Sequence, residues 1–303
     1  MVIMTLIATL ASAMVAQQQR AIAVEAAERA RGQAAWVLVG ALDWARLVLR
    51  EDARSGSVDS LGEPWAVPLA EARLSTFLAA DRESPGADEG PAAFLSGQVL
   101  DEQARYNLHN VLDEQGKVVE AEAAVLQRLC RIIGLPDDLA PRIVEGMLAA
   151  VGEGDESAPL LPMRLEQLAW LGIDADSIAQ LRPFVTLLPS ATAVNVNTAP
   201  REVLAAAIDG LDLGGAERLL QRRQRAAYAS MDDLRKELPQ GLPELPETRL
   251  SVGSRYFEVI GRLRLDERVF EERSIVDRRP ADRGGEIVAI QRERRSIAQG
   301  TPR

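Results

Sequence analysis

The chain has 303 residues, of which 47% are hydrophobic and 26% charged, a composition typical of a globular protein with one or two domains. Its formal net charge of −10 opposes the phosphate backbone, so nucleic-acid binding is not expected. The single cysteine, Cys130, excludes an intrachain disulfide, and the single histidine, His109, excludes a histidine-rich metal site. Because Cys130 lies in an apolar run, we expect a buried structural side chain rather than a reactive thiol.

The first 16 residues, MVIMTLIATLASAMVA, carry no charge, and three interpretations of them compete. Ala11-Ser12-Ala13 is similar to a signal-peptide cleavage site, but no Lys or Arg precedes the apolar run. A buried core helix is the second interpretation, because a bilayer needs about 20 residues. We favour a membrane anchor that continues into a soluble domain, since no proline occurs before Pro64 and residues 1–52 are rich in helix formers.

Such a helix would be about 75 Å long, which suits a segment that first spans lipid and then packs on a domain. We expect residues 1–20 to anchor the chain through Met1, Ile3, Leu6, Ile7, Leu10 and Met14. Small residues permit close helix packing in lipid, and here they are Ala8, Ala11, Ser12 and Ala13. Further along, the helical period predicts that one set of residues packs on a sheet: Trp36, Val37, Gly40, Trp44 and Leu47.

After this helix, residues 56–68 are predicted to be a loop, and the Gly-, Pro- and acid-rich stretch 82–91 a turn region. Residues 94–107 predict a pair of strands. From about Glu120 to Leu238 apolar residues recur every three or four positions, which predicts an entirely helical block.

The pattern changes at Ser251, where the helical period ends. Residues 255–266, 269–276 and 286–291 predict three strands, and the polar tail from Arg292 onward is predicted to be disordered. Strand signals therefore lie on both sides of a helical block. This predicts an α+β domain, with a long N-terminal helix on an antiparallel sheet and a large all-α domain inserted between its strands. Separate tandem domains are less economical, because three strands alone make a poorly stable sheet.

Within the helical block, the segment AVNVNTAPREVL predicts a helix start with Thr198 as N-cap, and Ser230 is the predicted cap of a later helix. The segment resembles a helix-hairpin-helix unit of DNA-binding proteins. In that alternative interpretation the phosphate contacts would come from Arg218, Arg222, Arg223 and Arg225. A packed helical hairpin with a solvated basic face is the other interpretation, and Asp212 beside the turn favours it because it would repel phosphate.

Several motifs occur in a characteristic order along the chain. They are QQQ at 17–19, QAAW at 33–36, LGEPWA at 61–66, Asp101 through RYNL at 105–108, VNVNTA at 194–199 and VGSRYFEVI at 252–260. In this order and spacing the chain resembles the minor pseudopilin K family of the type II (general) secretion pathway. No constellation of paired acid and base residues indicates an enzyme, and the resemblance implies none.

The resemblance implies a pilin-like fold divided as follows: an anchor at 1–20, a first α/β part at 21–110, a helical insert at 111–249, C-terminal strands at 250–292 and a polar tail at 293–303. It implies assembly with minor pseudopilins I and J at the pseudopilus tip, together with other pseudopilins and inner-membrane secretion components. The expected location is the bacterial inner membrane, single-pass, with the globular part in the periplasm and supporting export across the outer membrane. No nucleic acid, small-molecule substrate or cofactor is expected.

Two departures from the family pattern are visible in the sequence. Family members usually carry a short basic leader ending in Gly and a longer apolar stretch, and we expect both to precede the first residue shown. Members also often bind calcium through an acidic loop in the helical domain. Here the corresponding loop offers only Glu153, Asp155 and Glu156. Calcium needs six to eight oxygen ligands, so we expect no tight calcium site in this loop.

Overall fold

A computed structural model of the chain describes residues 2–79, 93–152, 159–239, 241–243, 246, 248–266, 268–280 and 285–298. The turn region predicted at 82–91 lies outside the described residues, as do Met1 and the calcium candidates Glu153, Asp155 and Glu156.

Helix α1 (Val2–Ser55) has 54 residues and extends for about 80 Å. It contains no proline that would interrupt its hydrogen bonds. Its buried side chains follow one another at intervals of three or four residues and contact the sheet: Ala34, Leu38, Leu42, Ala45 and Leu49. The helix therefore packs on the sheet only along its C-terminal half.

Five strands form the antiparallel sheet, in the order β1-β2-β7-β8-β9. They are β1 (Leu69–Arg73), β2 (Ala93–Asp101), β7 (Tyr256–Leu265), β8 (Arg268–Arg278) and β9 (Ile287–Ala298). Helix α2 (Leu74–Ala79) follows β1. Because β2 pairs directly with β7, the intervening residues 102–255 are an insertion into the sheet domain. This confirms the α+β architecture with a helical insert.

The insert contains α3 (Glu120–Ile132), α4 (Leu139–Val151), α5 (Ala175–Leu181), α6 (Arg201–Ala207), α7 (Leu213–Arg225) and α8 (Met231–Glu237). Their apolar faces share one core that includes Leu126, Ile143 and Leu204. Ser230 accepts a hydrogen bond from the Asp233 amide and caps α8 as predicted. Thr198 does not cap α6: its hydroxyl donates to Asp101 instead.

The prediction of an entirely helical block is wrong in two places. Two-residue strands form parallel pairs within the insert, β3 (Tyr106–Asn107) with β4 (Val185–Thr186) and β5 (Val194–Asn195) with β6 (Leu250–Ser251). The predicted strand pair at 94–107 is likewise corrected, because the long strand β2 ends at Asp101 and a 3₁₀ turn follows it.

The prediction of a disordered tail from Arg292, and of a separate tail domain at 293–303, is also wrong for the residues described. Strand β9 continues to Ala298 and pairs with β8 along its length. Its polar residues are held in the strand by cross-strand ion pairs, since Arg292 and Arg294 both pair with Glu272 of β8. Opposite charges on neighbouring strands stabilise such a polar edge strand.

Candidate functional site

Among the residues that the structure describes, none buries the N-terminal part of α1. Its large apolar side chains are exposed, including Val2, Ile3, Leu6, Ile7, Leu10 and Met14. An 18-residue window of α1 has a mean hydropathy of 1.3 and none of it is buried, so by length and composition the helix could cross a membrane. The hydroxyls of Thr9 and Ser12 donate hydrogen bonds to the Leu6 and Ala8 carbonyls, respectively. Both hydroxyls therefore have a hydrogen-bond partner without needing water.

A charged segment separates this apolar end from the sheet. Ion pairs one helical turn apart join Arg29 to Glu25 and Arg31 to Glu28 along the exposed helix. The first residue of α1 that packs against the sheet cluster is Ala30. Residues 2–29 therefore project from the domain by about 40 Å, with the uncharged part farthest away.

On the C-terminal half of α1, the residues expected to pack on the sheet mostly lie on the opposite face. Trp36, Trp44 and Leu47 are 80%, 56% and 60% exposed, and Gly40 is exposed as well. At about 100° per residue these four positions fall within an arc of about 80°, centred roughly opposite the buried face. The expected packing role is wrong for these four, whereas Val37, at the edge of the arc, does pack against the sheet cluster.

The physical reason for this reversal is the close approach of α1 to the sheet. Gly261 of β7 lies beneath the helix, and a Cβ atom at this position would lie 3.1 Å from Leu38 Cδ2. Alanine and leucine fill such a narrow space, whereas an indole does not. The two tryptophans are consequently left on the outward face of α1.

A groove of about 500 Å³ runs beside this outward face, between α1 and β2. Its walls are mainly apolar and include Val37, Trp44 and Val48 from α1, and Leu95 and Val99 from β2. We call Trp36, Gly40, Trp44 and Leu47 the outward face, and it is continuous with this groove at Gly40 and Trp44. An exposed apolar surface of this kind is a common mark of protein–protein contact.

The VNVNTA motif forms a buried junction between the insert and the sheet domain. The side-chain nitrogen of Asn195 (Nδ2) lies within hydrogen-bond distance of three oxygens. They are the backbone carbonyl oxygen of Asp59 at 3.1 Å, Asp101 Oδ2 at 3.0 Å and Ser254 Oγ at 2.9 Å. Asp101 also accepts from the Thr198 and Ser254 hydroxyls. Burial raises the pKa of the Asp101 carboxyl, and the hydroxyl donors counteract that shift. The motif thus has a structural role at the junction.

The four arginines of the DNA-binding alternative belong to α7. Arg222 donates to Glu237 and to the Ala226 carbonyl, and Arg223 donates to the Val196 carbonyl. Burial lowers the pKa of Arg223 to about 10. Two of the four guanidinium groups are therefore held by contacts within the chain, which makes them less available to a phosphate backbone.

The two rare titratable side chains also occupy structural positions. Cys130 is buried, as expected, and burial raises the pKa of its thiol to about 11, which disfavours the reactive thiolate. Burial lowers the pKa of His109, and its backbone amide donates to Asn107. These environments give neither residue the features of an activated catalytic group.

Two family models described as type II secretion system (T2SS), protein K match residues 104–190 and 194–253. A similar protein is the type II secretion system protein K of Pseudomonas aeruginosa, which is 28% identical over 294 residues, covering 88% of this chain and 83% of that protein. Among solved structures, a chain of the GspK-GspI-GspJ complex from the enterotoxigenic Escherichia coli type 2 secretion system is similar, with a TM-score of 0.67 and 19% identity. That match covers 88% of this chain and 98% of the other. The solved structure supports the same fold.

Proposed function

The chain belongs to the type II secretion system protein K family, and from this premise we propose that it is a structural minor pseudopilin at the tip of the pseudopilus, assembling with minor pseudopilins I and J. The proposed work is assembly, not catalysis. It initiates the pseudopilus and so supports protein export across the outer membrane. The observation that carries this proposal is the outward face of α1, which leaves two tryptophans uncovered beside an apolar groove.

The position of the insert supports a place at the tip. Asn195 and Ser254 contact Asp59, which lies just beyond the C-terminal end of α1. The insert therefore lies at the end of the helix farthest from the apolar N-terminus. With residues 2–19 in the inner membrane, the insert lies on the periplasmic side and its bulk opposes the addition of another subunit above it.

The partner assignment follows from the related complex, which contains GspI and GspJ. Pilin-like subunits that share a long helix can pack helix against helix, in lipid through small residues and outside lipid through larger apolar ones. On this chain the residues available for these two contacts are the small residues Ala8, Ala11, Ser12 and Ala13, and the outward face. In this proposal one partner helix lies along α1 and covers Trp36 and Trp44.

The test is co-purification of the full-length chain with its I and J partners from membranes in mild detergent. A tag on this chain should recover both partners in a stable complex. Recovery of this chain alone, while I and J purify together from the same membranes, would contradict the proposal. A gel-shift assay on the same sample tests the DNA-binding alternative, which requires salt-sensitive binding to duplex DNA.

A further inference from the structure

Three carboxylates meet where α1 ends and the following loop turns back to the sheet. Asp52, Asp59 and Glu63 each offer one oxygen, and these oxygens all lie within 4.8 Å of one another. Oxygen ligands lie about 2.3–2.6 Å from Ca²⁺, so two ligands of one ion are at most about 5 Å apart. The three carboxylates are therefore close enough to share one cation.

Asp59 supplies a second, independent observation. Its side chain is 1% exposed, yet its Oδ1 has no hydrogen-bond partner among the described residues. Its Oδ2 is fully engaged, accepting from the Ser254 amide at 2.6 Å and from Arg278. A buried carboxylate oxygen without a partner is costly, and a bound cation would satisfy it.

The neighbouring hydrogen bonds hold the other two carboxylates in place. Glu63 Oε2 accepts from the Ser60 amide at 2.9 Å and from the Trp65 indole at 2.7 Å. Asp52 Oδ2 accepts from Arg278 at 2.9 Å. These contacts fix one oxygen of each carboxylate and orient the side chain for a ligand at the other oxygen, as outer-shell partners do in metal sites.

Within the cluster itself, the carboxylates outnumber the cation that pairs with them. Among the described residues, Arg278 pairs with both Asp52 and Asp59, so the cluster holds three carboxylates and one guanidinium group. The arginine thus leaves the cluster with unbalanced negative charge.

We propose that Asp52, Asp59 and Glu63 form a binding site for a hard divalent cation of the Ca²⁺ class. The all-oxygen ligand set excludes a preference for soft metals, and three carboxylates exceed the one or two that Mg²⁺ usually takes. Water from the cavity beside Asp59 completes the coordination, although the same cavity is also lined by Arg50, Arg54, Arg255, Arg278 and Arg279. The ion joins the end of α1 to the loop that contacts the insert through Asp59.

The experiment uses the full-length chain in detergent, stripped of metal with a chelator and titrated calorimetrically with Ca²⁺. We expect one ion to bind in the range between micromolar and millimolar, and to raise the melting temperature. Asp52→Asn and Glu63→Gln should each weaken binding by about tenfold or more. Circular dichroism of each variant checks that it is folded. A second readout is Tb³⁺ emission sensitised by Trp65, whose indole contacts Glu63.

A triple variant, Glu153→Gln, Asp155→Asn and Glu156→Gln, is the matched control and should bind Ca²⁺ like the parent. Loss of binding in this control, with binding retained in Asp52→Asn and Glu63→Gln, would overturn the proposal and place the ion in the acidic loop. The absence of binding at millimolar Ca²⁺, or tighter binding of Mg²⁺ than of Ca²⁺, would overturn it as well.

Discussion

The two faces of α1 follow the same helical period, but among the described residues only the inner face is covered by the rest of the chain. The inner face carries alanine and leucine, all buried against the sheet: Ala34, Leu38, Leu42, Ala45 and Leu49. The outward face carries the largest side chains of the helix, and they remain exposed. The close approach of α1 over Gly261 explains the difference, because it limits the inner face to side chains of moderate size. Side-chain size, as well as hydrophobicity, therefore decides which face of this helix meets the sheet.

The largest effect is expected from Leu49→Ala on the inner face. Leu49 is 0% exposed, and its truncation should lower the free energy of unfolding by about 2–5 kcal/mol through lost burial and a cavity. Denaturant unfolding of the full-length chain, followed by tryptophan fluorescence, measures this change. Leu47→Ala, two residues away on the outward face, is the matched control and should change stability by about 0.5 kcal/mol or less. Equal losses in both variants would show that the two faces do not differ.

Trp44→Ala should affect assembly more than stability. Buried aromatic anchors at interfaces often contribute about 2 kcal/mol or more, so affinity for the I and J partners should fall by at least about tenfold. Titration of the detergent-solubilised chain with the partners measures the affinity. Trp170→Ala is the control, because Trp170 is 51% exposed but belongs to the insert, and its loss should leave affinity unchanged. A stability loss as large as that of Leu49→Ala would instead identify Trp44 as a core residue.

The smallest effect is expected from the two glycines of α1. A Cβ atom at Gly32 or Gly40 would have no atom within 4 Å, so alanine at either site should stabilise the isolated chain by about 0.5–1 kcal/mol. In the complex with the partners, the two substitutions should have different effects. Gly40 lies between Trp36 and Trp44, and Gly40→Ala should weaken partner binding if a helix packs there. If Gly32→Ala and Gly40→Ala stabilise the complex by the same amount, close packing of a partner helix at Gly40 is excluded.

Much of the fold could be predicted because its signals are local. The extent of α1 follows from its composition and the absence of proline, and the strands β7 and β8 from their alternating apolar residues. The insertion followed from strand signals on both sides of a helical block, and the direct pairing of β2 with β7 confirmed it.

The features that could not be predicted depend on partners distant in sequence. The tail from Arg292 is polar in composition and becomes a strand because Glu272 pairs with its arginines. The choice of the face of α1 depends on Gly261, more than 200 residues away. The cluster of Asp52, Asp59 and Glu63 depends on the course of the loop after α1, and no hydrophobic periodicity in the local sequence specifies that course. For the outward face, the sequence did contain one signal that could have predicted exposure. The tryptophans of α1 recur at a helical spacing and are surrounded by small residues.

The most direct test of the proposed assembly role is site-specific photo-crosslinking in intact membranes. Trp36 and Trp44 are each replaced by benzoylphenylalanine, and Trp170→benzoylphenylalanine serves as the control in the insert. We expect positions 36 and 44 to crosslink to a minor pseudopilin partner and position 170 not to crosslink. Crosslinks from position 170 alone, or from none of these positions while the complex still co-purifies, would contradict the assignment of the outward face as the assembly surface.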